Sequence, residues 1–130
     1  MKRVSVWKAT ALLLGALGVF GAGLAVGANK FGTPSSILHV VTIHWKADAT
    51  DAQKQEALQG VKKMAGEIPG IKNVWIKAIK VQPREYTDAF AIEFEDKAAA
   101  DRYVDHPAHR AWEKGYLAIR EESRSHQITN

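Results

Sequence analysis

The side chains best suited to chemistry lie in one short segment, residues 103–112. It contains the hydroxyl of Tyr103 and the imidazoles of His106 and His109. A histidine with a pKa of about 6.5 can take a proton from a carbon beside a carbonyl group, and a tyrosine hydroxyl can stabilise the resulting enolate. The segment therefore permits acid–base catalysis. Six positions and a proline separate Tyr103 from His109, so the spacing alone does not bring the two side chains together.

The same histidines also suit a structural role or a metal site. Pro107 breaks one helix and fits the first turn of the next, and a histidine at such a break can hydrogen-bond the backbone. We favour this structural role. His106 and His109 could share one ion with Asp105 as a third ligand, but a zinc site takes three or four ligands, and Asp105 is also placed to cap the helix. We therefore predict no metal.

Composition excludes several classes of protein. The chain has 130 residues, 46% of them hydrophobic and 25% charged, which is typical of a single globular domain. Its net charge of +4 comes mostly from residues 1–28, since the remainder holds 15 basic and 14 acidic residues. We predict no nucleic-acid partner, because no concentrated basic face remains. Cysteine and the glycine-rich phosphate loop are both absent from the sequence, so it gives no support for thiol or nucleotide chemistry.

The N-terminus has the pattern of an export segment. Three basic residues, Lys2, Arg3 and Lys8, precede 21 uncharged residues at positions 9–29. Small residues, Val26 and Ala28, occupy the −3 and −1 positions of a signal-peptidase site after residue 28. About 20 apolar residues also suffice to cross a bilayer, so an uncleaved anchor is the alternative.

This pattern divides the chain into three parts. We predict a signal peptide or N-terminal membrane anchor at residues 1–28, a linker at residues 29–36 and one domain at residues 37–130. In either case the domain is exported to the periplasm or the extracellular space, and in the anchored case residues 9–29 tether it to the membrane.

The domain shows the signals of alternating strands and helices. Residues 37–45 and 87–95 are rich in β-branched and aromatic residues, and we predict strands there, with a further strand at residues 71–81. Thr50 and Gln53 form a capping box that begins a helix, and a Pro-Gly pair ends it. Asp96 is predicted to cap a second helix, and a further helix is predicted to begin at Pro107. In that helix we predict a buried stripe, with Glu113 in solvent; the stripe is Ala111, Trp112 and Tyr116. A final strand is predicted in the polar segment after Arg120.

This order of elements predicts an α+β fold of the ferredoxin-like βαββαβ type, an antiparallel sheet with its helices on one face. The other face of the sheet carries Leu38 and Val40 and is too apolar to remain in water. We therefore predict a homodimer in which two such sheets close against each other.

Four features of residues 37–122 together resemble the stress-responsive A/B-barrel (Dabb) family. They are His39 on the opening strand, the Pro-Gly turn at residues 67–71, the acidic-ended strand at residues 90–96 and the motif at residues 103–109. The resemblance implies a ferredoxin-like domain at residues 37–130 whose homodimer forms a dimeric α/β-barrel. Members of the family usually end in an apolar strand, whereas residues 125–130 are polar here.

The resemblance also implies a candidate site. In cyclase-like members a tyrosine and a histidine of this motif act together, and Tyr103 and His109 match those positions. His39 matches a histidine that lines the ligand pocket, and we add His106 and Trp112 to that pocket. We expect no cofactor. The preferred function is binding of a small apolar molecule or a stress-related role; the alternatives are a polyketide-cyclase-like lyase acting on a carbonyl substrate, and a purely structural interaction module.

Overall fold

The computed structural model describes residues 31–130, of which Pro34–Asn130 form a compact unit. The predictions for residues 1–30, including the signal peptide or anchor, lie outside the described residues. No helix within residues 31–130 is long and apolar enough to cross a membrane. The elements in chain order are β1 (Ile37–Trp45), α1 (Asp51–Glu67), β2 (Ile71–Trp75), β3 (Asp88–Phe94), α2 (Lys97–Tyr103), α3 (Pro107–Ile119) and β4 (Arg120–Ile128).

The four strands form one antiparallel sheet in the order β2-β3-β1-β4. Side chains alternate between its two faces, and the buried ones on β1 and β3 belong to the face that the helices cover. Ile43, Ile92 and Phe94 are fully buried in that core. The α+β ferredoxin-like prediction, with helices on one face, is confirmed.

β1 places His39 on the covered face of the sheet. Val41 and Ile43, two and four residues further on, lie on the same face and are buried. In the ladder His39 lies opposite Ile92 of β3 and Gln127 of β4, so it lies in the middle of the sheet beneath the helices. Alternation along the strand thus determines which histidine of β1 can reach a site under the helices.

α1 begins with the predicted capping box. The Thr50 backbone N–H donates to Gln53 Oε1 at 2.9 Å, and the Gln53 N–H donates to Thr50 Oγ1 at 3.3 Å. The turn that follows the helix requires glycine at position 70, where φ is +87° and a Cβ atom would lie 2.6 Å from the Cβ of Ala99. This turn directs the chain back into the sheet as β2.

The second predicted strand is too long, because β2 ends at Trp75 rather than at residue 81. It is an edge strand, and its ladder with β3 runs only from Ile71 opposite Phe94 to Trp75 opposite Ala91. Residues 76–87 form a loop. Its lysines and its β-branched residues do not alternate, as they would in a strand with one buried face.

Asp105 does not cap α3, contrary to the prediction. His106 is the cap: its backbone is extended, and its Nδ1 accepts a hydrogen bond from the Ala108 N–H at 3.2 Å. Because Pro107 occupies the first helical position, the residue before it is held in the extended conformation that a cap requires. Asp105 instead forms an ion pair with Arg110 at 2.7 Å.

The predicted final strand is confirmed, and the polar C-terminal segment pairs along β1 from Leu38 opposite Ile128 to Trp45 opposite Arg120. β4 lies at the edge of the sheet, so its polar side chains can stay in contact with water.

The predicted stripe of α3 needs one correction. Ala111 is exposed, and His109 is buried in its place together with Tyr116.

Candidate functional site

A cavity of about 120 Å³ lies between α2 and α3 on one side and the covered face of the sheet on the other. Its walls combine imidazole, aromatic and hydroxyl groups, chiefly His39, Tyr103, His109, Trp112, Tyr116 and Ser123. Three of these residues come from α3, two from the strands β1 and β4, and Tyr103 ends α2. The fold therefore brings together four of the five predicted site residues: Tyr103, His109, His39 and Trp112.

His109 lies in the first turns of α3 and is 8% exposed. Its Nδ1 lies 3.0 Å from the carbonyl oxygen of Val104. Because a carbonyl oxygen only accepts, Nδ1 carries the proton in this contact and Nε2 is the free base of the neutral ring. Nε2 makes no hydrogen bond within residues 31–130, and unlike Nδ1 of His39 it is not sealed off by the protein.

The helix break creates this arrangement. α2 ends at Tyr103, so the carbonyl group of Val104 has no partner further along the same helix and is free to accept from His109. The structural role that we expected for a histidine at the break is therefore present. It also prepares His109 for chemistry, because the bond at Nδ1 sets the tautomer and the ring orientation.

Tyr103 and His109 are in direct contact, with ring centroids 4.3 Å apart. The Tyr103 ring is 4% exposed and packs edge-on against Phe94 at 5.1 Å. Burial, followed by the negative charge of Glu113 and the nearby Tyr116, raises the pKa of Tyr103 well above its ordinary value. Its hydroxyl consequently stays protonated at physiological pH and remains a hydrogen-bond donor.

His39 forms the floor of the cavity, with its ring centroid 6.0 Å from that of Tyr103. Its Nδ1 is buried and has no hydrogen-bond partner within residues 31–130. Burial, and to a smaller extent the neighbouring His109, lowers the pKa of His39 below its ordinary value of 6.5. His39 is therefore uncharged at neutral pH, as suits a wall residue of a partly apolar cavity.

The lowered pKa of His39 makes the stability of the domain depend on pH. Below pH 6.5 the unfolded chain binds a proton at His39 more readily than the folded one does, so the free energy of unfolding falls as pH decreases. In His39→Gln this contribution is absent. We expect urea titrations at pH 7.5 and pH 5.5 to show a smaller loss of stability in His39→Gln than in the wild type. Equal losses in the two proteins would contradict the lowered pKa.

Trp112 connects the cavity to α1. Its Nε1 donates to the carbonyl oxygen of Ala57 at 2.8 Å, and its ring stacks on Tyr116 with centroids 4.7 Å apart. Gly60 leaves room for the indole, because a Cβ atom there would lie 2.7 Å from Trp112 Cδ1. Trp112 is thus both a packing residue and a wall of the cavity.

His106 does not line the cavity, contrary to the sequence assignment. Its Nδ1 is occupied by the Ala108 N–H at the start of α3. The physical reason is again Pro107, which fixes the backbone before it and turns the imidazole back onto the first turn of the helix. Within residues 31–130 no three metal-ligating side chains come together.

Sequence reasoning missed the rest of the wall. Glu113 was expected in solvent, but it lines the cavity, and its carboxylate accepts from Arg110 at 3.2 Å. Tyr116 was expected to be buried but not to face a site. The helical spacing of residues 109, 113 and 116 would have placed both on the side of His109. Ser123 could not be found in this way, because its contribution depends on the register between β4 and β1.

Comparison with known proteins agrees with the fold. The family model for the stress responsive A/B barrel domain (Dabb) matches residues 37–129. Olivetolic acid cyclase from Cannabis sativa is 30% identical over 77 residues, which cover 57% of this chain and 76% of that relative.

Two solved structures show the same fold. A Dabb family protein with a ferredoxin-like fold from Mesorhizobium loti is 26% identical, with a TM-score of 0.63 over 73% of this chain and 96% of its own. A dimeric ferredoxin-like protein from Thermobifida fusca is 20% identical, with a TM-score of 0.63 over 78% of this chain and 97% of its own. The domain is thus a ferredoxin-like α+β domain of the kind found in dimeric proteins. The chain belongs to the stress responsive A/B barrel (Dabb) family.

Proposed function

We propose that this Dabb protein binds a small carbonyl compound in the cavity and acts on it as a cyclase or lyase of the aldol type. One observation carries the proposal: the Val104 carbonyl group holds the proton of His109 on Nδ1, which leaves Nε2 as a base in a ring that lies against the ring of Tyr103. The sequence alone favours binding without catalysis, because it does not bring the two side chains together. Their contact in the folded domain removes that objection.

The chemistry balances without a cofactor. His109 Nε2 takes a proton from the carbon next to the carbonyl group, and the Tyr103 hydroxyl donates a hydrogen bond to the enolate oxygen. The enolate carbon then forms a bond with a second carbonyl carbon of the same molecule, and the new alkoxide takes the proton back from His109. A lyase would run these steps in reverse. The similarity to olivetolic acid cyclase supports this reaction type.

Binding of a small apolar molecule without turnover is the second candidate. The aromatic part of the wall favours it, since Phe90, Trp112 and Tyr116 pack edge-on or stacked within 6.5 Å of one another. Such a wall offers apolar surface to a ligand whether or not a reaction follows.

Proton exchange separates these two functions. In D2O, a cyclase or lyase should accelerate the replacement of protons beside the carbonyl group of a small ketone, followed by proton NMR with levulinate and its methyl ester. We expect Tyr103→Phe to slow this exchange roughly 100-fold, because an enolate-stabilising donor is lost while the ring stays in place. Tyr86→Phe, which removes a hydroxyl outside the cavity, is the matched control. Binding without any accelerated exchange in the wild type would reject catalysis in favour of the second candidate.

We also propose that the protein is a homodimer closed through the uncovered face of the sheet. That face carries Leu38 and Val40 on β1 and Ala91 on β3, together with Trp75 and Ile128, which are 50% and 55% exposed. Large apolar side chains exposed together on one face of a sheet favour an interaction surface there. The related Thermobifida fusca protein is dimeric, which supports the same assembly here.

Export of the protein is a further part of the proposal, and it rests on the sequence of residues 1–28 alone. The mass of the protein isolated from cells tests it. A mass that begins at residue 29 indicates a cleaved signal peptide, and a full-length chain in the membrane fraction indicates an anchor. A full-length chain in the cytoplasm would reject export.

A further inference from the structure

The cavity has a second polar region, at the point where α3 passes into β4. We call it the Arg120 cluster; it consists of Tyr116, Arg120, Ser123 and Ser125. Arg120 Nη1 donates to Ser123 Oγ at 3.0 Å, and the Arg120 guanidinium carbon lies 5.7 Å from the centroid of the Tyr116 ring. Tyr116, Ser123 and Ser125 line the same cavity as Tyr103 and His109, while Arg120 stands behind Tyr116 and Ser123.

Two polar atoms of this cluster have no hydrogen-bond partner among the described residues. Arg120 Nε and the Tyr116 hydroxyl are both buried without a hydrogen bond of regular geometry to residues 31–130. The Tyr116 hydroxyl does lie near Ser123, but burial dominates and raises the pKa of Tyr116, so it stays a donor. Buried polar groups of a folded protein normally have partners, so unpaired donors directly behind a cavity wall favour a bound acceptor in that cavity.

The charge of the cluster is also uncompensated. Arg110 and Arg124 each form an ion pair with a carboxylate, whereas Arg120 forms none within residues 31–130. Because Ser123 Oγ accepts from Arg120, its own proton is free to point into the cavity. The guanidinium thus polarises one hydroxyl and lies against the ring of another. A hydroxyl donor supported by a positive charge suits a negatively charged acceptor.

We propose that the Arg120 cluster is a carboxylate subsite, and that the substrate is a small carbonyl compound carrying a carboxylate group. This inference rests on the proposed function and adds the substrate class. Ser123 donates a hydrogen bond to the carboxylate, and Arg120 is a positioning residue that supplies the charge. A carboxylate fits better than a phosphate, because the cavity of about 120 Å³ must also hold the carbonyl end of the molecule.

The two ends of the cavity are linked by a row of aromatic rings. His109 lies 5.9 Å from Trp112, and Trp112 stacks on Tyr116 at 4.7 Å. A substrate held by its carboxylate at Ser123, beside the Tyr116 ring, would therefore lie along Trp112 with its carbonyl group near His109. Fixing one end of a small molecule in this way orients the reacting carbon against the base.

The test compares levulinate with methyl levulinate, which differ only in the carboxylate. NMR titration of the full-length protein gives the dissociation constant of each probe. We expect Arg120→Gln to weaken levulinate binding about tenfold, since the positive charge that supports the Ser123 hydroxyl is lost, and to leave binding of the ester unchanged. Arg120→Lys should retain part of the preference for levulinate because it keeps the charge. Arg84→Gln makes the same substitution in the exposed loop at residues 76–87 and should change neither constant.

The outcomes separate this inference from the proposed function. Levulinate binding that Arg120→Gln does not change, equal affinity of the wild type for the two probes, or no levulinate binding by the wild type would each overturn the subsite. Levulinate binding that depends on Arg120 without accelerated proton exchange would support the subsite and reject catalysis. Accelerated exchange of both probes at equal affinity would support catalysis and reject the subsite.

Discussion

His109→Asn is expected to slow proton exchange by roughly 100- to 10,000-fold, the range for loss of a general base, while the domain stays folded. The side-chain amide of asparagine places an N–H donor close to the position of Nδ1, so it can keep the hydrogen bond to the Val104 carbonyl group. It has no group at the position of Nε2, so the base is lost. The measurement is the exchange rate of levulinate in D2O, with folding checked by circular dichroism.

A second substitution at the same position separates catalysis from structure. His109→Ala removes both nitrogens and leaves the Val104 carbonyl group without its partner, so we expect it to lower the free energy of unfolding by about 1–3 kcal/mol more than His109→Asn does. Both variants should lack exchange activity. If His109→Asn exchanged protons as fast as the wild type, His109 would not be the base, and its role would be limited to bridging the break between α2 and α3.

Much of the fold could be predicted because local signals agreed with the tertiary structure. β1 covers the predicted residues, Ile37–Trp45, since β-branched residues dominate it and both its neighbours bury it. The capping box at Thr50 marked the start of α1. Where an element depends on a distant partner, the local signal failed. β2 stops at Trp75 because its ladder with β3 stops there, and nothing in residues 71–81 reveals where that ladder ends.

The polar strand β4 also shows the limit of predicting a strand from local sequence. Its composition gives little indication of a strand, yet it pairs with β1 from Leu38 to Trp45. An edge strand is stabilised more by its backbone hydrogen bonds than by burial of its side chains. The register of that pairing turns Ser123 and Ser125 toward the cavity. Two residues of the cavity wall thus depend on a register that the sequence does not specify.

The proposed catalytic pair, Tyr103 and His109, could be named from the sequence through the family resemblance, but its function could not be argued from spacing. The break at Pro107 decides which of the two histidines lines the cavity. It frees the Val104 carbonyl group, which orients His109 into the cavity, and it makes His106 the helix cap, which removes that residue from the cavity. Two histidines three residues apart therefore have different roles for one physical reason.

Val40→Asp is expected to convert the proposed homodimer into a monomer. Val40 lies on the uncovered face near the middle of β1, opposite Ala91 of β3 and His126 of β4. In the dimer the new carboxylate would be buried between two sheets without a group placed to pair with its charge. We therefore expect the dimer dissociation constant to rise at least about 100-fold. Analytical ultracentrifugation at micromolar concentrations measures this change.

Leu117→Asp is the matched control, because Leu117 is an exposed apolar residue on α3, on the opposite side of the sheet. It should leave the dimer intact. A wild type that sediments as a monomer, or a Val40→Asp variant that remains a dimer, would contradict closure through this face. Since the cavity lies between the helices and the covered face, monomeric Val40→Asp should still bind levulinate. Loss of binding together with the dimer would instead show that the cavity depends on the partner subunit.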